Sequence, residues 1–314
     1  MANRLNVLIG KYWLLFFFLV LFVFMAIFKI PFRQFLSSLS SLQFWQYLLL
    51  ILLYFAISFS LILTRKYLLF SLSSPSKLKN LVLIHFASMA AHYTTPAKIG
   101  FPLTVYLLNR LDAVPYANGT TIILIELFVG TSLCGIIAFL GSLFYFTDKT
   151  NIFLFSSLAL LVVGALGFYG ARFLSAKRTG TGRISQFIDD MYGTFSRISL
   201  QSLIIYLLLI LIVQLFGGFS LALVAFFLDT KISLWQAVIA NSAAFFLGSL
   251  SMIPMGIGVR EGSLLFYLSQ FGVPNEAAIA IVLVQRLLST GLSLVLGLIL
   301  GTLLGLRNMD RNVG

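Results

Sequence analysis

Arg260 and Glu261 stand side by side within residues 254–262, PMGIGVREG, a glycine-rich break in hydrophobic sequence. Only 10% of the chain is charged, and an ionisable group inside hydrocarbon is costly unless it faces a protein-lined or wet cavity. The planar guanidinium of Arg260 suits a phosphate, which it can grip through two parallel donors. Glu261 would then hold Arg260 in place or meet a cationic or hydroxylated headgroup. The alternative is a structural ion pair that closes the bend. Lys98 lies in a second break, TTPAKIGFP, and either offers another cation to the same phosphate or snorkels to the surface. Backbone N–H groups at Gly100, Gly256 and Gly258, near Pro96 and Pro254, would also favour an anion. Glycines serve close helix packing equally well.

Glu126 and Arg286 fall at nearly matching places after the two breaks. Either they line a cavity, where one could couple protons, or they pair with Arg260, Glu261 or each other and lock the core. His85 and His92 are the chain's 2 histidines, seven residues apart and so roughly on one helix face. A metal site needs more ligands at suitable spacing, and none is nearby. His92, beside Tyr93 and Thr94, is a proton-relay group or an interhelical hydrogen-bond partner. Asn241 and Ser242 read as packing groups or cavity lining. No Ser/His/Asp constellation, P-loop or HExxH motif occurs, and Asp189-Asp190 reads as the solvated edge of a surface helix. No catalytic residue, metal or cofactor is expected.

The elements that position these residues must live in a bilayer. Hydrophobic residues make up 60% of the 314 and mean hydropathy is +1.04, whereas soluble chains are about 45–50% apolar. Runs able to span, roughly 20 residues each, fall at about 12–30, 46–63, 119–146, 152–171, 203–228 and 276–305. The first reads as a retained anchor helix, since its apolar run is too long for a signal peptide and no A-x-A site follows. Residues 81–111 and 235–269 are apolar but broken by TTPAKIGFP and PMGIG. Proline removes a helix donor and glycine loosens the backbone, so each region becomes two arms joined by a bend.

The net charge of +12 follows the positive-inside bias and does not call for nucleic acid. Loops at 64–80 (Arg65, Lys66, Lys77, Lys79) and 171–200 (Arg172, Lys177, Arg178, Arg183, Arg197) both read as cytoplasmic. Two spans lie between them, so 81–111 must enter and leave on one side. The same parity puts 235–269 on the outer side and both termini inside. Residues 183–197 and the stretch Phe32 to Leu42 show helical spacing of apolar residues and read as surface helices.

The two broken regions align with a one-residue gap. Pro96 meets Pro254, Ile99 meets Ile257 and Gly100 meets Gly258; Val114-Pro115 then meets Val273-Pro274, and Thr131 meets Thr290. The chain has 7 prolines and four of them pair. A hairpin and following helix, repeated with opposite topology, is the plan of secondary transporters, whose substrate site lies near midplane at the broken helices.

Pro254-x-Gly256-x-Gly258-x-Arg260-Glu261-Gly262, then Gly272-Val273-Pro274-x-Glu276-Ala277-Ala278 and Arg286-Leu287, resembles the second half of the flippase-like membrane family. That family includes the transmembrane region of lysylphosphatidylglycerol synthases. Pro96-x-Lys98-x-Gly100 and Glu126 resemble its first-half signature. Phe101 stands where members often carry an acid, and Glu126-Leu127 replaces a usual Glu-Arg pair. The resemblance implies a polytopic domain that moves anionic or glycosylated lipids between leaflets. The aminoacyl-transferase domain fused in the synthases has no counterpart here.

The expected fold is an all-α polytopic membrane protein, with about six spanning helices plus two re-entrant or broken hairpins in an inverted repeat. Residues 1–314 form one membrane domain, with repeat units at about 46–146 and 203–305 and a cytoplasmic amphipathic loop at about 172–200. The expected function is a flippase or transporter for an anionic or polyprenyl-phosphate-linked lipid, through a basic midplane cavity in a prokaryotic inner membrane. Its partner is a lipid with a phosphate-containing headgroup. The alternatives are a membrane enzyme acting on a lipid phosphate, or a non-transporting partner of a membrane glycosyltransferase.

Overall fold

A computed structural model describes residues 40, 42–94, 99–145, 162, 183–251, 253 and 256–310. The described residues are helical, with no strand. Among the described residues, four helices are long and apolar enough to cross a membrane: Phe44–Ser71, Tyr116–Leu143, Leu200–Phe227 and Asn275–Thr302. Each holds 28 residues, a length of about 42 Å at the α-helical rise, which exceeds a hydrocarbon core of roughly 30 Å. The expected spans at 12–30 and 152–171 and the surface helix beginning at Phe32 lie outside the described residues.

In chain order the elements are α1 (Phe44–Ser71), α2 (Leu78–Thr94), α3 (Gly100–Asp112), α4 (Tyr116–Ile125), a π-helical turn (Glu126–Gly130) and α5 (Thr131–Leu143). After them come α6 (Arg183–Ser196), α7 (Leu200–Phe227), α8 (Leu234–Leu250), α9 (Val259–Gln270), α10 (Asn275–Arg286), a second π turn (Leu287–Gly291) and α11 (Leu292–Asp310). The order of long helix, longer arm, shorter arm and π-interrupted helix therefore occurs twice. One boundary differs from expectation. The loop predicted from residue 64 begins only after Ser71, because Tyr67 to Phe70 extend the helix and Leu68 and Leu69 are fully buried. Arg65 is thus a helix residue, not a loop residue.

The corner after each short arm is also repeated. Ala113 and Gly272 have φ of 54° and 82°, the left-handed residue that ends many helices. The next residue, Val114 or Val273, is buried and donates its N–H back to Leu108 O or Leu268 O. Pro115 and Pro274 then precede α4 and α10, where a missing donor costs nothing.

Packing exchanges elements between the halves. The first arm α2 lies along α11, and the first arm α8 lies along α5, while α1 runs against α7. These contacts are close: a Cβ on Gly297 would stand 2.4 Å from the Phe86 carbonyl oxygen, and one on Gly141 would stand 2.2 Å from Ile239 Cγ1. Small residues let membrane helices approach to this degree. The core around Leu68, Leu108 and Ile122 takes in Tyr206 and Ile210 of α7. The core around Phe246, Tyr267 and Ile281 takes in Leu50 of α1 and Cys134 and Ala138 of α5.

Outward faces are apolar. Leu52, Phe55 and Phe59 on α1, and Leu208, Ile212, Phe216 and Phe219 on α7, are exposed at helical spacing, as lipid-facing stripes are. The amphipathic α6 leaves Asp189 and Asp190 exposed and half-buries Phe187, Ile188, Met191 and Tyr192. Thr194 Oγ1 donates to Asn118 Oδ1 at 2.8 Å and Asn118 Nδ2 to Ser74 Oγ at 2.6 Å, so α6 is fastened to α4.

Candidate functional site

The two halves enclose a chamber of about 300 Å³, at the lower end of ordinary ligand pockets. Both bends contribute to its wall: Gly100 and Phe101 from the first, Gly256 and Arg260 from the second. Gly256 has φ +62°, and a Cβ there would stand 2.9 Å from Gly248 Cα, so the bend rests directly on the backbone of α8. Gly258 has φ +79°, a conformation glycine adopts without strain. Its N–H donates to Glu261 Oε2 at 2.7 Å, capping α9. These two constraints set Arg260 on the first turn of α9. Its stem packs on Gly248, its head lies beside the Tyr93 hydroxyl, and it makes no ion pair among the described residues.

The remaining charges at the site are paired: Arg286 with Glu261, one of the expected alternatives, and Glu126 with Arg65, a partner the sequence did not suggest. Arg65 reaches across from α1 and grips Glu126 through two parallel bonds, Nε to Oε1 at 2.9 Å and Nη2 to Oε2 at 2.8 Å. Sequence reasoning missed Arg65 because the Arg65-Lys66 pair reads as the end of a span. The apolar YLLF that follows was the available signal. Glu261 does not hold Arg260; it pairs with Arg286, which also donates from Nη1 to Thr290 Oγ1 at 3.0 Å. Neither Glu261 nor Arg286 lines the chamber. Glu126 opens the first π turn and Arg286 immediately precedes the second. Such wide turns recur where a helix must present functional groups.

His85 and His92 both line the chamber. The His92 ring meets Phe101 edge-on at 5.0 Å, so an aromatic contact joins the two arms of the first break. Gly100 brings the arms together: a Cβ there would stand 2.4 Å from the Ser88 carbonyl oxygen. Lys98, Pro96 and Pro254 lie outside the described residues. No group of three or more His, Cys, Asp or Glu able to hold a metal occurs among the described residues.

Sequence reasoning weighed Asn241 as packing or cavity lining but passed over Gln214 and Gln285. Gln214, Asn241 and Gln285 are buried and line the chamber. The Thr131–Thr290 register sets Gln285 opposite Glu126, which was the signal for it. Asn241 Nδ2 and Ser242 Oγ both donate to Gln214 Oε1 at 3.4 Å, and Ser220 Oγ to Gln285 Oε1 at 3.5 Å. Two lining hydroxyls, Ser88 Oγ and Tyr206 Oη, are buried without a hydrogen-bond partner among the described residues. A buried hydroxyl left in that state costs about 1–3 kcal/mol.

Long apolar helices around a chamber whose largely apolar wall carries a few polar and charged side chains define a polytopic helical membrane protein with an internal ligand-sized site. The chain matches the family described as "Lysylphosphatidylglycerol synthase TM region" over residues 7–297, and it belongs to that family. No curated protein matches the chain at the level of significance applied.

Proposed function

We propose that the protein is a lipid flippase or transporter, which carries a phosphate-bearing headgroup between leaflets through the chamber while the hydrocarbon tails stay in lipid. The observation that carries this reading is Arg260, a guanidinium without a carboxylate partner among the described residues, facing an enclosed space walled by both bends. A buried cation costs several kcal/mol unless something compensates it, and a phosphate does so with matched geometry. Glu126 supports the site by neutralising Arg65 in the same wall. Gly256 and Gly258 set the bend, His92 and Gly100 belong to the opposite wall, and Lys98 adds a second cation at the first bend. Glu261 and Arg286 act indirectly, by fixing α9 against α10.

The units at about 46–146 and 203–305 form an inverted repeat of one membrane domain. The arms are re-entrant, since α3 and α9 with 13 and 12 residues reach only about 18–20 Å at the α-helical rise. The termini face the cytoplasm of a prokaryotic cell, with the protein in its inner membrane. Finally, the lipid is moved without chemical change.

Reconstitution in liposomes with labelled phosphatidylglycerol tests the proposal. Transfer between leaflets with the lipid intact is the expected result. A chemically altered lipid would replace the carrier with an enzyme, and no movement at all would reject it.

A further inference from the structure

The chamber wall contains more than a phosphate clamp. Gln214 Oε1 accepts from Asn241 and Ser242, and Gln285 Oε1 accepts from Ser220. That arrangement turns the amide oxygens toward protein donors and leaves the –NH2 groups of Gln214 and Gln285 with no acceptor among the described residues. Asn241 is aimed deliberately: it rests over Gly217, where a Cβ would stand 2.6 Å from its Nδ2. Every contact in this cluster is long, 3.4–3.5 Å, so the groups are within reach of one another without being saturated. Two further hydroxyls in the same wall, Ser88 Oγ and Tyr206 Oη, are buried and unpartnered among the described residues.

The charge of the wall is equally specific. Among the described residues its charged lining residues are Arg65, Glu126 and Arg260. Arg65 and Glu126 neutralise each other, which leaves one positive charge among the described residues. Both oxygens of Glu126 are occupied by Arg65, and Glu261, outside the wall, is taken by Arg286 and the Gly258 N–H. An ammonium entering this space would have to strip a carboxylate from its arginine, leaving a guanidinium buried and unpaired.

Given the headgroup reading of the chamber, on which this step rests, we infer that the site selects a phosphate joined to a neutral, hydroxyl-rich headgroup. Arg260 takes the phosphate, and the amides of Gln214, Asn241 and Gln285 take the hydroxyls. Aminoacylated, cationic headgroups are rejected. Free amide –NH2 groups and unpartnered hydroxyls are groups that hold a polyol, because the amides donate to its oxygens and the hydroxyls both donate and accept. A site built to bond substrate hydroxyls discriminates against analogues that lack them.

The test is competitive binding by native mass spectrometry of the purified full-length chain. It uses equimolar short-chain phosphatidylinositol, phosphatidic acid and lysyl-phosphatidylglycerol. Phosphatidylinositol is retained over lysyl-phosphatidylglycerol by at least about tenfold, and over phosphatidic acid by about threefold or more. Gln214→Leu and Gln285→Leu, near-isosteric changes, each lower phosphatidylinositol binding more than phosphatidic acid binding. The wild-type competition decides even if a variant fails to fold. Equal or tighter binding of the lysyl lipid, equal binding of phosphatidylinositol and phosphatidic acid, or no binding of phosphatidylinositol would overturn the inference. Loss of leaflet transfer with this preference intact would sink the carrier reading and leave the selectivity standing.

Discussion

At the scale of single residues, what sets Arg260 apart is the company the other arginines keep. Arg65 is bonded twice to Glu126, and Arg286 to Glu261, whereas Arg260 has a tyrosine hydroxyl beside it and forms no ion pair with a carboxylate among the described residues. Removing one member of a part-buried pair strands the other, which costs more than removing both. Glu126→Gln therefore lowers thermal stability, while Arg65→Gln with Glu126→Gln together restores most of it. Unfolding curves of the two singles and the double in detergent give the coupling, expected at about 1–3 kcal/mol; additive losses would contradict the pairing. The arginine of the PMGIGVREG bend could be read from sequence because a charge in an apolar run is rare. Arg65 could not, because a basic pair at the end of an apolar run looks the same whether the helix stops or continues. Ion-pair partners were illegible for a related reason: Glu126 and Arg65 are 61 positions apart.

Elements translate these residues into a chamber through close contact of the hairpin arms with the opposite half. A Cβ at Gly297 would press on the Phe86 backbone, which cannot rotate away. Gly297→Ala is expected to destabilise by about 1–3 kcal/mol, the usual cost of overpacking. Gly193 in α6 has nothing within 4 Å of its Cβ position, and Gly193→Ala should be neutral or stabilising by up to about 1 kcal/mol. Thermal unfolding that ranks the two variants the other way would refute the packing account. Proline and glycine breaks made the arms visible in sequence, and Val114-Pro115 against Val273-Pro274 made the repeated corner visible. The exchange of arms, α2 on α11 and α8 on α5, was not visible, since Leu-rich and Ala-rich faces carry no address for their partners.

For the molecule as a whole, the proposed inverted arrangement requires the loop between α1 and α2 and the loop between α7 and α8 to face opposite sides. In a Cys134→Ala background, Ser73→Cys should react with an impermeant maleimide only from the cytoplasmic side, and Lys231→Cys only from the other. Labelling of both from one side would refute the opposed topology. The central claim is that a phosphate-bearing headgroup crosses through the space faced by Arg260. The most direct measurement is the rate of leaflet transfer of labelled phosphatidylglycerol in liposomes holding equal amounts of wild-type protein or Arg260→Ala, with folding checked by thermal unfolding. Transfer well above protein-free liposomes for the wild type, falling to that background in the folded variant, is the predicted result. Wild-type rates in Arg260→Ala would contradict it.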